Sequence, residues 1–217
     1  MRFLSILLQF NLYIYASVFS KYINNKNCDQ IIDKSVYTIC YNYKLKGAKF
    51  VAYSLDGSKV DLLNIKKQLS FYDENSLNKR YRSYTSDYKY SRYDKVQLAS
   101  DDLFDYGKDT QYLTYSMVNT IPMLPRVYAN MWIKAEQFER TMAIKFDRVD
   151  VINGVVYSKD PKRIGNHKIA VPDAFWKMIF NVRKNYKICL YYKNNLHYYT
   201  KNDKIKYHRV NCNGIKF

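Results

Sequence analysis

Residues Tyr88 to Arg140 constrain the fold of this chain more than any other stretch. They read as a tyrosine-rich strand, a polar loop, a second short strand and then a helix. The helix is marked by Trp132-Ile133-Lys134-Ala135-Glu136-Gln137-Phe138-Glu139-Arg140. Within it Glu136 and Arg140 stand four apart, a spacing that lets them pair on one face. β-type runs flank this unit. Val36-Tyr37-Thr38-Ile39-Cys40-Tyr41 and Lys49-Phe50-Val51-Ala52-Tyr53-Ser54-Leu55 precede it, the second ended by the turn pair Asp56-Gly57. Val149 to Tyr157 follows and reads as a buried strand broken by a turn at Asn153-Gly154. Lys168-Ile169-Ala170-Val171-Pro172 and Asp173 to Ile179 complete the set.

Charge narrows the partners. Against 19 Asp and Glu stand 36 Lys and Arg, a net charge of +17. Such a field attracts polyanions, with nucleic acid as the leading class and an anionic membrane surface or cell-wall polymer as the rival. The 24 tyrosines serve core, surface or base stacking equally well and decide nothing alone.

The first segment reads as a secretory signal peptide over residues 1–20: Arg2, then an almost wholly apolar run from Phe3 to Phe19, before the polar chain begins at Lys21. The run is short for a membrane span, so cleavage is expected, with an uncleaved anchor as the alternative. Residues 21–217 then form a single domain with no stable membrane association, secreted or periplasmic. Cys28, Cys40, Cys189 and Cys212 all lie in the exported part. Four cysteines allow three pairings, among which the sequence does not choose. No pair has the close spacing of a zinc site. Residues 181–217 are basic and aromatic. They are read as two edge strands stapled by Cys189 and Cys212, with single-strand binding by stacking as the alternative.

Ser91-Arg92-Tyr93-Asp94-Lys95-Val96-Gln97-Leu98-Ala99, then Asn119-Thr120-Ile121-Pro122, then Trp132 and Glu136 resemble the signature of the DNA/RNA non-specific endonucleases, the ββα-metal (His-Me finger) nucleases. The likeness extends over roughly residues 36–180. It includes the opening hairpin, Phe71-Tyr72-Asp73, and the later strands ending in Val171-Pro172-Asp173-Ala174-Phe175-Trp176-Lys177. The resemblance implies an α+β fold with a central antiparallel sheet and a ββα site at about residues 91–140. It also implies DNA or RNA as partner and Mg²⁺ as cofactor. The family's general-base His falls on Gln97, its Arg on Lys95, and its helix-opening metal Asn on Tyr128, with Asn130 two residues beyond. Where the family places a phosphate-holding Arg before Phe71, this chain has Gln68, Leu69 and Ser70, with Lys66 and Lys67 further back.

In that family a His deprotonates water, a divalent metal polarises the phosphate, and an acid on the helix orients metal-bound water. Gln97 has no ionisable group and cannot act as general base. Tyr128 is a poor ligand for a hard cation. Lys95 keeps charge without the bidentate fork of Arg. The retained candidates are Asn119 and Glu136, with Asn130 as an alternative metal ligand. Arg80, Arg82 and Arg92 are candidate nucleic-acid contacts. His167, His197 and His208 lie outside the central motifs and are read as surface or structural residues; Asp101 and Asp102 are read as solvated loop acids. The expectation is an exported, nucleic-acid-binding family member whose phosphodiesterase activity is weak or lost. One alternative is an active Mg²⁺-dependent nuclease with a relocated base. The other is a non-catalytic exported interaction protein.

Overall fold

The computed structural model describes residues 18–60, 62, 63, 65, 69–195 and 202–215. Most of the expected signal peptide, together with Lys66, Lys67, Gln68 and His197, lies outside the described residues. In chain order the strands are β1 (Gln30–Asp33), β2 (Thr38–Asn42), β3 (Gly47–Asp56), β4 (Asp94–Gln97), β5 (Thr120–Met123), β6 (Arg148–Val156), β7 (Arg163–Ile164), β8 (Ile169–Ala170), β9 (Ala174–Asn181), β10 (Tyr186–Lys193) and β11 (Arg209–Val210). The helices are α1 (Lys108–Thr114) and α2 (Ile133–Phe146).

A seven-stranded sheet in the order β1-β2-β3-β6-β9-β10-β11 forms the centre, and every neighbouring pair in it is antiparallel. The fold is α+β with a central antiparallel sheet. Strand alternation divides the apolar residues between two faces. Val51, Tyr53 and Leu55 of β3 join Val149, Val151, Phe175 and Ile179 beneath Trp132, Ala135 and Ala143 of the helical segment. Phe50 and Ala52 point the other way, with Ile152, Trp176, Met178 and Phe180. That second face is covered by Phe19, Tyr22, Ile23 and Ile215. Two disulfides, Cys28–Cys40 and Cys189–Cys212, tie those covering segments to β2 and β10.

Three sequence expectations are corrected. Asn153-Gly154 does not break its strand: β6 runs through both residues, which pair with β3 and β9. The glycine is there for space, because a Cβ at position 154 would lie 2.2 Å from the Trp176 ring. Central pairing therefore overrides a dipeptide that elsewhere signals a hairpin. Glu136 and Arg140 do not pair. Arg140 instead donates to the backbone carbonyls of Val60 and Asp102 and lies 3.9 Å from the Asp105 carboxylate. The tyrosine-rich segment before β4 is a turn rather than a strand, with positive φ at Tyr90 (61°) and Arg92 (69°).

β4 and β5 form a separate antiparallel pair, with Gln97 opposite Thr120 and Lys95 opposite Pro122. A single helical turn, Pro125–Val127, and a π-helical turn, Tyr128–Trp132, then lead into α2. This strand–strand–helix unit packs on the first face of the sheet.

Candidate active site

Gln97 ends β4, half-buried, and both ends of its carboxamide are held. Its Nε2 donates to the Thr114 carbonyl at 3.0 Å and to Thr114 Oγ1 at 3.1 Å. Its Oε1 accepts from the Asp101 amide at 3.4 Å. Asn119 is fully buried just before β5. Its Nδ2 donates to the carbonyls of Ala99 (2.9 Å) and Thr114 (2.8 Å), and its Oδ1 accepts from the Ala99 amide at 2.9 Å. The two side chains thus meet at one carbonyl, that of Thr114 at the end of α1. Together they fix the loop that follows β4. Asp101 in that loop accepts from the Tyr115 hydroxyl at 2.5 Å.

The helix supplies the opposite wall. Glu136 is buried, and its carboxyl is pushed up to about 8. Burial is the main cause; Lys177 opposes it, while Glu139, Asp102 and Asp101 add to it. Tyr128 is pushed up by burial and then by the same acids, Glu136, Asp102 and Asp101, with Asp94. Tyr128 therefore lies in the field of the same loop acids that act on Glu136. Asn130 turns back along its own helix, its Nδ2 donating to the Arg126 carbonyl at 3.1 Å. A π-helical turn inserts an extra residue into the helix, a feature frequent at functional sites.

Behind this wall runs a buried polar chain that the sequence reading missed. Lys177 Nζ donates to Glu139 Oε1 at 2.6 Å, and both side chains are fully buried. The ammonium also lies 4.7 Å from the centre of the Trp132 ring. The Tyr53 hydroxyl donates to Glu139 Oε2 at 3.0 Å. Asn153 Nδ2 donates to the Tyr53 oxygen at 2.7 Å and to the Leu98 carbonyl at 2.6 Å. The chain joins α2, β3, β6 and β9 to the residue after Gln97. Burial raises the Glu139 carboxyl while Lys177 pulls it down. The available signal was Lys177 itself, a lone cation inside the apolar run Ala174–Phe180.

The basic candidates are dispersed. The Lys95 ammonium sits 5.3 Å from the Phe71 ring centre. Arg80 is exposed and lies over the Tyr81 ring at 4.5 Å. Arg82 is committed to its own loop: Nε donates to the Leu77 carbonyl at 2.8 Å, and its two terminal nitrogens donate to Asn75 at 3.1 Å each. Arg92 is exposed on the turn before β4. Asp102 is exposed at its carboxylate's residue, while Asp105 beside it is buried. Among the described residues, no three His, Cys, Asp or Glu side chains converge so as to hold a metal ion. Nor is any described helix long and apolar enough to cross a membrane.

The model of the DNA/RNA non-specific endonuclease family matches residues 15–216. Human mitochondrial endonuclease G is 23% identical over 160 residues, covering 69% of this chain and 54% of the relative. Mitochondrial endonuclease G of Bos taurus is 24% identical over 162 residues, with the same coverage. The chain thus spans about half the length of the curated relatives it matches. In fold, it superimposes on a chain of the crystal structure of the EndoG/EndoGI complex with a TM-score of 0.75, covering 83% of this chain and 80% of that one. The identity there is 20%, so the likeness is one of fold.

Proposed function

The chain belongs to the DNA/RNA non-specific endonuclease family, and from that premise we propose that it is an exported member that binds nucleic acid and whose phosphodiester-cleaving activity is weak or lost. The observation that carries this reading is the Gln97 carboxamide. It stands where the family has its general base, offers no titratable group, and is held at both ends by Thr114 and Asp101. Loss of a general base costs about 10²- to 10⁴-fold in rate.

The donor set supports the same reading for the Mg²⁺ that the family implies. Asn119 has both ends of its amide on backbone groups. Tyr128 presents a phenol held neutral by burial and neighbouring acids, and burial disfavours the charged form of the Glu136 carboxyl. A hard cation needs charged or carbonyl oxygens, so the residues present do not fit a resident Mg²⁺, and no step is routed through one. We assign Asn119 and Gln97 to positioning the loop, and Lys95, Arg80 and Arg92 to attracting the nucleic-acid backbone. The active-enzyme alternative needs Asn130 at the mouth of the helix.

The charge of +17 supports polyanion binding, and the two disulfides support an oxidising compartment. The test is affinity for duplex DNA and for single-stranded RNA across about 50 to 200 mM salt. A fall of orders of magnitude is expected. Absent or salt-insensitive binding would favour a protein-interaction role and overturn the proposal.

A further inference from the structure

We infer that His167 is a phosphate contact on the nucleic-acid-binding surface, an imidazole locked by the buried Asp87 carboxylate so that its second ring nitrogen meets a phosphodiester oxygen. The inference rests on the nucleic-acid reading above. His167 Nδ1 lies 2.9 and 3.1 Å from the two Asp87 oxygens. The carboxylate is held from two further directions, by the His167 amide at 3.0 Å and the Tyr84 amide at 2.9 Å. Its side chain is 0% exposed, whereas that of His167 is 41% exposed. A buried carboxylate is costly unless its oxygens are satisfied, and here both the ring and the backbone amide of His167 are among its donors. The Tyr84 ring packs against the imidazole with centroids 4.4 Å apart.

The turn is built for this approach. Gly165 has φ +69°, and a Cβ there would come within 2.3 Å of Asp87. Arg163 clamps the same turn, donating at 2.9 Å to the carbonyls of Lys44 and Lys168. The other described histidine is a useful contrast. His208 has both ring nitrogens engaged, Nδ1 with the Tyr191 carbonyl at 3.2 Å and Nε2 with Asp203 at 2.5 Å. His167 Nε2 has no partner among the described residues. With Nδ1–H donated to Asp87, Nε2 carries a hydrogen only when the ring is charged. Asp87 lies beneath the ring, and Arg163 and Lys168 belong to the same turn, joined through the Lys168 carbonyl. With its carboxylate partner buried on one side, a charged ring presents its free N–H outward, where an anion can accept it.

The test is binding of a short DNA oligonucleotide and its RNA counterpart to the purified chain and to His167→Gln, with the ring resonances of His167 followed by NMR. We expect His167→Gln to bind about three- to ten-fold more weakly. The wild-type ring resonances should move as oligonucleotide is added. Salt-sensitive wild-type binding that the substitution leaves unchanged, with static ring resonances, would overturn this inference while leaving the nucleic-acid reading intact. A wild type that binds neither oligonucleotide would overturn both.

Discussion

Replacing Glu136 by Gln should change how the stability of the fold responds to pH. The carboxyl rises from 4.5 to about 8 on folding, chiefly through burial. Between those values the folded chain holds a proton that the unfolded chain releases. The folded state is favoured fully below the unfolded value, and stability is lost as pH rises through the folded one. At about 1.4 kcal/mol per unit, the interval sets a ceiling of about 5 kcal/mol. Relaxation around a side chain that keeps 7% exposure brings the expected loss to about 2 or 3 kcal/mol. Glu136→Gln has nearly the same shape and no charge. Urea unfolding of both proteins, disulfides intact, at intervals from about pH 5 to about pH 8 gives the comparison. The wild type should lose about 2 kcal/mol or more relative to the variant across that range. Two parallel stability curves would refute the reasoning, because other titrating groups are common to both proteins.

Gly154→Ala should destabilise by about 3 kcal/mol or more in urea unfolding, since the new methyl would meet the Trp176 ring at 2.2 Å. Lys177→Met strands Glu139 in the core beside Tyr53 and should cost about 3 to 5 kcal/mol. Adding Glu139→Gln should restore part of that loss in a double-mutant cycle. Asn119→Ala removes three buried hydrogen bonds. It should cost about 2 to 4 kcal/mol and raise hydrogen exchange at Ala99, whose amide it leaves unpaired.

What the sequence made legible is what depends on local pattern. The runs around Ile39, Val51 and Ile179 became strands because near-continuous apolar, β-prone runs suit central strands buried on both faces. The departures at Gln97 and Tyr128 were visible by position alone. What stayed hidden depends on distant pairings. Lys177 and Glu139 are 38 residues apart, and only the packing of α2 on β9 makes them partners. The π-helical turn at Tyr128–Trp132, which carries both Tyr128 and Asn130, leaves no periodic mark in the sequence. Asn153-Gly154 misled because a turn signal gave way to central sheet pairing. Arg82 reads as an available cation and is instead a loop cap. The carboxylate beneath His167 lies 80 residues away, beyond any local motif.

We propose that the residues at Gln97 and Tyr128 are the main reason why cleavage by this family member is weak or lost. It is tested most directly by digesting plasmid DNA and RNA with the wild-type chain and with a Gln97→His/Tyr128→Asn variant, each with Mg²⁺ or Mn²⁺ and with EDTA. The wild type is expected to leave both substrates intact, or nearly so, under all conditions. The double variant should cut when the metal is supplied. Metal-dependent cleavage by the wild type at a rate comparable with the variant's would contradict the account.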